Sequence, residues 1–595
     1  MKLDEIFSVK GKVAFVTGGS RGIGEMIASG FLANGVKVYI SARKAPALIE
    51  KANELSEKFQ QECIPVPCDL SSLEGINNFV TEIKTSSSKT RLIHFEFYTY
   101  QTYILEFGNQ YIRFYKDSGQ IVSGGSAYEI SSPYTTAQLF DIKFAQSADV
   151  MYLCHNSHEP RKLSRTGHTS WSLTEVDFQD GPYLDTNTSS TTVQASNTSG
   201  NSRTVTASSS IFVSSDVGRQ IRFKDGYAEI TAFGSGTSVT VNIKDDFSDT
   251  STTTDCRLGA FSTSTGFPSC VSFFEQRLVF AGTTSFPQTI FASESGLYEE
   301  FDVGSGNAAD AFIYTIAANR VNVIRWLAPA RDLIVGTVGG EFKVGRPTGE
   351  PLKPDNVQIT QQTTYGGYTT QPIQIGNAVL FVQRQQKKVR EFAYRFESDA
   401  YLAPDMTLLA EHITGKGIVD VDYAQEPDSI YWAVRKDGAL LGLTYQREED
   451  VIAWHRHILG GSYGLTFNGA SDVTDSVTDS NNNGFVTISN HGLSTGDRVT
   501  YSAGGGTKLG GLVDGQDYFV YVKDANNFEF AKTYEQAIDR TIIQIQDGVG
   551  ANHSVKAQAQ VKSVSTISEA SENQTYIVVR RRINGNIVQY VEYLD

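Results

Sequence analysis

Residues 267–301 read FPSCVSFFEQRLVFAGTTSFPQTIFASESGLYEEF. Val271 to Phe274 and Leu278 to Ala281 are short apolar runs of aromatic and branched side chains joined by the polar stretch Glu275-Gln276-Arg277, which predicts a tight β-hairpin. A second strand pair is expected directly after it. Pro287 precedes Thr289 to Ser293, Glu294-Ser295-Gly296 supplies the turn, and Leu297 to Phe301 closes the unit.

The same cadence of apolar strand, polar turn and amphipathic strand returns along the chain. Asp332 to Thr337 with Glu341 to Gly345, Ala378 to Gln383 with Val389 to Tyr394, Ser429 to Arg435 with Ala439 to Tyr445, and Thr575 to Arg582 with Ile587 to Tyr593 each carry it. Irregular repeats of this size predict a mainly β fold, either propeller-like or a stack of antiparallel sheets. A plain β-sandwich is the alternative. Upstream, Arg91 to Tyr98, Thr102 to Phe107 and Tyr111 to Lys116 alternate at period two and read as a meander. One short helix is expected over Thr136 to Ile142, followed by a strand at Val150 to His155, the segment Pro160 to Arg165, and Trp171 to Phe178. Two further β-domains are inserted: a Ser/Thr-rich one at 186–262 and another at 468–556, whose strands are Phe485 to Ile488, Arg498 to Tyr501, Tyr518 to Val522 and Phe528 to Ala531. They divide the β-rich core into 88–185, 263–467 and 557–595.

Residues 1–84 have a different grammar. Lys12 to Thr17 is a strand, Gly22 to Asn34 a helix, Val36 to Ser41 a strand, Pro46 to Gln61 a helix, Cys63 to Pro67 a strand and Ser72 to Ile83 a helix. This predicts an incomplete Rossmann-like βαβαβα segment, one half of a doubly wound sheet. Its Gly-rich turn, Thr17-Gly18-Gly19-Ser20-Arg21-Gly22-Ile23-Gly24, suits close backbone approach to a pyrophosphate at a helix N-terminus. The segment resembles the N-terminal half of the short-chain dehydrogenase/reductase family, whose TGxxxGxG turn is matched at Thr17, Gly18, Gly22 and Gly24. The resemblance implies cofactor contacts from Thr17, Gly18, Ser20, Arg21, Gly22, Ile23 and Gly24. It further implies that Arg43, beside Ser41 and Lys44, favours the 2′-phosphate of NADP, and that Asp69 holds the adenine. The family's catalytic pair is absent: no Tyr in the chain has Lys four residues later, and no Asn-Ala-Gly occurs. The expectation is therefore a cofactor half without hydride transfer, with NADP as an optional ligand and no required cofactor. Such a fragment would leave a sheet edge open unless the following domain covers it.

Residues 88–595 resemble the tail nozzle, or tail tubular B-type, proteins of short-tailed bacteriophages. The stretches that carry this are KTRLIHFEF, YILEFGNQYIRFYKDSGQI, SPYTTAQLFDIKFAQSADVMYLCH, PRKLSRTGHTSW, FPSCVSFFEQRLVFAGT and FASESGLYEEF. These are assembly motifs and bring no catalytic residue. The resemblance implies a virion structural subunit assembled in the host cytoplasm into a homo-oligomeric ring, sixfold in that family. Its partners would be the head-side adaptor, other tail proteins and exiting DNA. The dehydrogenase half meets it at the Ser-rich seam Thr81 to Thr90. A domain fusion, a recombination event and a sequence-assembly artefact would each leave this mark.

Composition agrees with a non-binding channel. A net charge of −15 argues against a nucleic-acid clamp, because phosphate binding needs clustered Lys and Arg. Five cysteines, Cys63, Cys68, Cys154, Cys256 and Cys270, lack paired metal spacing and predict free thiols. No signal peptide or membrane span is expected. Among other constellations, His155, His158 and His168, and the pair His455 and His457, are weak metal candidates, so no metal site is expected. Asp420, Asp422 and Asp428 invite a carboxylate-pair reading for glycoside cleavage, and Arg580-Arg581-Arg582 reads as a salt-bridged interface strand. The competing function is an NADP-dependent oxidoreductase or cofactor-binding module fused to a β-rich partner. A third reading, glycan binding by the inserted β-domains, rests on their composition.

Overall fold

The computed structural model describes residues 13–42, 45–67, 89–98, 101–304, 306–317, 322–347, 350–460, 463–476, 483–548, 550, 552–569, 572–583 and 586–594. At the N-terminus, β1 (Val13–Thr17), β2 (Lys37–Ala42) and β3 (Cys63–Pro67) form a parallel sheet in that order, connected by α1 (Gly22–Ala33) and α2 (Ala45–Phe59). Ala28 and Leu32 of α1, and Leu48, Ala52 and Leu55 of α2, recur at helical spacing and close on Val16, Val38 and Ile40. Lys51 Nζ meets Glu25 Oε1 at 3.0 Å and ties the two helices together. Among the described residues β1 is paired on one side only. The helix expected at Ser72 to Ile83 lies outside the described residues, as does the seam from Thr81 to Ser88.

From Arg91 onward the strands are antiparallel. Seven sheets follow one another as meanders, designated A to G. Sheet A is built on Arg91–Tyr98, Gln101–Gly108, Tyr111–Lys116 and Glu129–Ser131, and sheet B on Lys143–Ser147, Val150–His155, His158–Gly167 and Ser170–Glu175. Sheet C has Cys270–Phe274, Arg277–Ala281, Thr289–Ala292 and Phe312–Thr315, and sheet D has Ile324–Pro329, Leu333–Thr337, Glu341–Gly345 and Gln358–Thr363. Sheet E has Ile373–Ile375, Ala378–Val382, Val389–Arg395 and Ala400–Leu402. Sheet F has Ile418–Ala424, Ile430–Arg435, Leu440–Gln446 and Val451–His457, and sheet G has Gln560–Glu569, Glu572–Ile583 and Asn586–Tyr593.

Each sheet buries both faces, because side chains alternate along a strand and both sets are apolar. In sheet C, Val271, Phe280 and Phe291 pack with Tyr152 and Cys154 of sheet B, whereas Cys270, Val279 and Ile290 pack with Leu327, Val335 and Phe342 of sheet D. The other joints repeat this. Sheets A and B share Phe95, Phe114, Leu153 and Trp171. Sheets D and E share Trp326, Ile334, Phe381 and Phe392, and sheets E and F share Leu380, Val382, Tyr431 and Leu441. Trp432 and Val434 of sheet F meet Val564 and Val579 of sheet G. Sheet G then returns to sheet A through Ile567, Tyr576 and Val578 against Leu92, Ile104 and Tyr115. The order of shared cores is closed.

A six-stranded sheet spanning Val193 to Leu258 lies in the chain between sheets B and C, and a seven-stranded sheet spanning Tyr463 to Ala557 lies between F and G. Each has its own apolar cluster.

Three local expectations are corrected. In the opening hairpin the turn is Glu275-Gln276, at φ +46° and +60°, the two-residue geometry that matches strand twist. Arg277 is already in the second strand and buried. The next strand, Thr289–Ala292, pairs with Phe312–Thr315 and not with Leu297 to Phe301. Phe312-Ile313-Tyr314 offers a continuous apolar run, whereas the adjacent Glu299 and Glu300 interrupt the nearer candidate. The helix expected over Thr136 to Ile142 reduces to a 3-10 turn at Leu139–Asp141. There the Arg91 guanidinium captures the carbonyls of Leu139 and Ile142 that a helix would have to place along its axis.

Candidate functional site

The glycine-rich turn joins β1 to α1 through two left-handed glycines. Gly18 and Gly22 have φ of +68° and +61°, in the left-handed region that a Cβ disfavours. A Cβ on Gly22 would meet nothing within 4 Å, so the space beside it is open. Gly24 is different: a Cβ there would run into the Gly18 carbonyl oxygen, and only glycine lets α1 start this close to the turn. Arg21, the residue capping α1, is extended and its side chain makes no capping bond, so the first N–H groups of the helix are left for an anion. Thr17 is exposed at the end of β1, opposite the buried Ser41 of β2. Ser20 is partly exposed, and Arg21 and Ile23 are exposed. Arg43, Lys44 and Asp69 lie outside the described residues. The exposed apolar face of α1, with Ile23 at 76% and Met26 at 73% exposure, continues beside the turn.

A second concave site lies where the first strands of five of the seven sheets, A, B, E, F and G, meet. A cavity of about 440 Å³ is lined by Arg91, His94 and Glu96 of sheet A, Phe144 of sheet B, Ile373 of sheet E, Asp420 and Asp422 of sheet F, and Ser565 and Thr566 of sheet G. Asp-x-Asp on one strand faces Ser-x-Ser on the next. Asp420 Oδ2 accepts from Ser563 Oγ at 2.5 Å and Val564 N at 3.1 Å. Asp422 Oδ2 accepts from Ser565 Oγ at 3.0 Å and Thr566 N at 2.8 Å, and lies 3.1 Å from His94 Nδ1. Burial pushes the Asp420 carboxyl up to about 6, against the pull of Arg91 and the Ser563 bond. Burial opposes charge on His94 too, but the Asp422 carboxylate outweighs it and holds the imidazole above its ordinary value. The two carboxylates thus act as cross-links between neighbouring strands. Asp428 is exposed in a turn away from them. The carboxylate pair was legible in the sequence; Arg91 and His94, which line the same cavity, sit on a strand that shows only alternation.

The other candidate histidines fall into two separate pairs, His155 with His158 and His455 with His457, and His168 stands apart from both. His155 Nδ1 accepts from Ser157 N at 3.1 Å, His158 Nε2 lies 3.0 Å from Gln138 Oε1, and His168 Nδ1 lies 2.7 Å from the Tyr103 hydroxyl. His455 Nδ1 and His457 Nε2 share a 2.8 Å hydrogen bond against Trp432. Among the described residues no group of three metal-ligating side chains forms. Cys63, Cys154, Cys256 and Cys270 are free and buried. Arg580 pairs with Asp497 at 3.0 Å and donates to the Gly492 carbonyl, fastening sheet G to the second inserted domain; Arg581 pairs with Glu592. Among the described residues no helix is long and apolar enough to cross a membrane.

Comparison with known proteins bears on the N-terminal segment. A family model described as short chain dehydrogenase matches residues 12–93. The rhamnolipids biosynthesis 3-oxoacyl-(acyl-carrier-protein) reductase of Pseudomonas aeruginosa is 41% identical over 87 residues, 15% of this chain and 33% of that protein. Short-chain dehydrogenase/reductase PhomF of Diaporthe leptostromiformis is 38% identical over 89 residues, 15% of this chain and 30% of its own. A solved Pseudomonas aeruginosa RhlG/NADP active-site complex is 44% identical over 14% of this chain and 33% of that chain, with a TM-score of 0.12. The chain spans about a third of the length of the curated relatives it matches. The N-terminal segment is thus of short-chain dehydrogenase type, and most of the chain lies outside the match.

Proposed function

We propose that this chain joins a short-chain dehydrogenase-type dinucleotide-binding half, lacking the residues for hydride transfer, to a seven-bladed β-propeller that serves as an assembly scaffold. The observation that carries the scaffold reading is the closed order of shared cores, in which sheet G packs back onto sheet A. Radial repetition of short meanders in this way protects sheet edges and makes a rigid platform. The two inserted sheets are then modules carried by the platform.

For the N-terminal half, the family match and the open space at Gly22 favour binding of NADP. For the remainder, the motif resemblance over residues 88–595 favours a virion structural protein, a subunit of a short-tail nozzle bridging an adaptor to the distal tail. The matches reported above lie in the N-terminal segment, so the tail reading stands on those motifs. A cavity of about 440 Å³ bridged by the His94–Asp422 contact is far too small for duplex DNA. The genome channel in this reading lies between copies arranged in a closed ring, and the chain's net charge of −15 keeps phosphates from adhering to its wall.

The second reading, an NADP-dependent oxidoreductase fused to a β-rich partner, draws on the same family match. It lacks the Tyr-x-x-x-Lys pair whose lysine would lower the tyrosine's pKa for proton transfer. Titration of the full chain with NADPH by fluorescence, with light scattering on the same sample, tests both readings. A ring-sized species with no NADPH oxidation supports the scaffold. A monomer or dimer that binds NADPH tightly and oxidises it with a carbonyl substrate would replace the scaffold reading with the enzyme.

A further inference from the structure

One oxygen atom gathers three sheets where the cycle closes. Asp422 of sheet F is only 7% exposed. Its Oδ2 accepts from Ser565 Oγ at 3.0 Å and Thr566 N at 2.8 Å of sheet G, and lies 3.1 Å from His94 Nδ1 of sheet A. Its Oδ1 is taken by the Tyr423 N–H at 2.9 Å. Among the described residues sheets A and F share no apolar cluster; each packs on sheet G instead. The His94–Asp422 contact therefore ties A to F directly, through polar groups.

His94 is held for this contact and open to solvent. The Phe144 ring of sheet B stands edge-on to the imidazole, with centroids 5.3 Å apart and planes at 81°. The His94 side chain is 33% exposed and lines the central cavity, so protons reach it through that opening. Among the described residues its Nε2 makes no hydrogen bond. The other titratable groups lining the cavity are Arg91 and Glu96 on the same strand, and Asp420, Asp422 and Tyr423 on sheet F; the remaining lining residues are neutral. Asp420 is engaged by Ser563 and Val564, Glu96 accepts the Ser568 N–H at 3.1 Å, and the Tyr423 hydroxyl lies 2.7 Å from Ser429 Oγ. Asp422 is left as the acid in contact with the ring.

A histidine–carboxylate contact carries charge on both partners only while the imidazole is protonated, and histidine is the side chain whose ordinary value lies near neutrality. We propose that His94 and Asp422 form a pH-sensitive latch: the protonated imidazole draws the strand Arg91–Tyr98 of sheet A onto sheets F and G, and loss of that proton through the cavity slackens the joint. The latch rests on the closed order of shared cores and is independent of the function that the scaffold serves. Burial opposes the charge and Arg91 adds to it, but Asp422 and then Glu96 outweigh them and hold the imidazole above its ordinary 6.5. A group raised in this way contributes stability that is fully present below about 6.5 and is lost as pH rises through the folded value. The latch is fastened in mild acid and slackens on the alkaline side.

Hydrogen exchange of the full chain at about pH 6 and about pH 9, expressed as protection relative to the intrinsic rate at each pH, tests it. Between the two values, protection of the amides of Leu92 to Phe95 and of Thr566 is expected to fall about tenfold further in the wild-type chain than in His94→Gln. Asp420 titrates in both chains, so the difference between them reports the latch. Asp422→Asn should show the same reduced response; His94 is the more exposed position, and its variant keeps the test readable if Asp422→Asn fails to fold. Equal falls in the wild-type chain and His94→Gln would overturn the proposal. Leu92 to Phe95 unprotected at both values would refute the closed order of sheets itself, and the latch with it.

Discussion

Arg277 contributes more to sheet C than its place beside a polar turn indicates. Its guanidinium donates to the carbonyls of Ser293 at 2.6 Å, Ala308 at 2.9 Å, Ala309 at 3.0 Å and Asp310 at 2.7 Å. Arg277→Met would leave these carbonyls without their donor, and the expected loss is about 3 kcal/mol, read as a lower denaturation midpoint. Asp420 makes stability depend on pH. Its folded value of about 6 exceeds the usual carboxylate value, so the stability it contributes is fully present below about 4 and lost as pH rises through about 6. The total is about 3 kcal/mol at most. His155, brought down to about 4 by burial and then by His158, acts in the opposite sense, losing stability as pH falls from its ordinary value. Asp420→Asn should therefore flatten the decline in melting midpoint between about pH 4 and pH 6 while leaving the His155 slope in place; an unchanged profile would count against it. At the other end of the chain, Gly24→Val is expected to abolish any NADPH fluorescence response without shifting the main melting transition.

Among the elements, the strand Gln560–Glu569 decides whether the cycle of sheets closes. It accepts the Leu92 N–H on Ser563 Oγ at 3.0 Å from sheet A, and supplies Ser563 and Ser565 to the two aspartates of sheet F. Thr102 Oγ1 adds a bond to the Ser568 carbonyl at 2.7 Å. Combined Ser563→Ala and Ser565→Ala substitution leaves both buried carboxylates short of a donor, at about 1–3 kcal/mol each. Hydrogen exchange should then report lost protection first in Leu92 to Phe95 and Val564 to Thr566. Protection lost uniformly over all seven sheets would mean that the strand is no special fastening. The strand itself was easy to miss in the sequence: its polar Ser and Thr positions resemble a surface strand, yet they are buried where partners from two other sheets satisfy them.

Over the whole molecule, the N-terminal segment and the sheets after it rest on separate cores. Deleting residues 1–88 is therefore expected to leave the melting midpoint and light-scattering mass of the β-rich part unchanged while removing the parallel sheet. A collapse of that transition would mean that the segment is a structural part of the scaffold. The relatives match the deleted part, so loss of NADPH binding in the same variant would separate the two functions cleanly.

What the sequence determined by itself is local and periodic. TGGSRGIG is legible because glycine is favoured in the left-handed backbone at Gly18 and Gly22 and only glycine permits the close approach at Gly24. The hairpins are legible because alternation and turn residues act over a few positions. Absence of Tyr-x-x-x-Lys needs no structure at all. The tertiary structure alone decided that Thr289–Ala292 pairs with Phe312–Thr315, that Arg277 is interior, and that strands more than four hundred residues apart, at Leu92 and Ser563, meet to close the cycle. These outcomes depend on which apolar faces are available to one another after collapse, a property of the assembled surfaces that no short window of sequence contains.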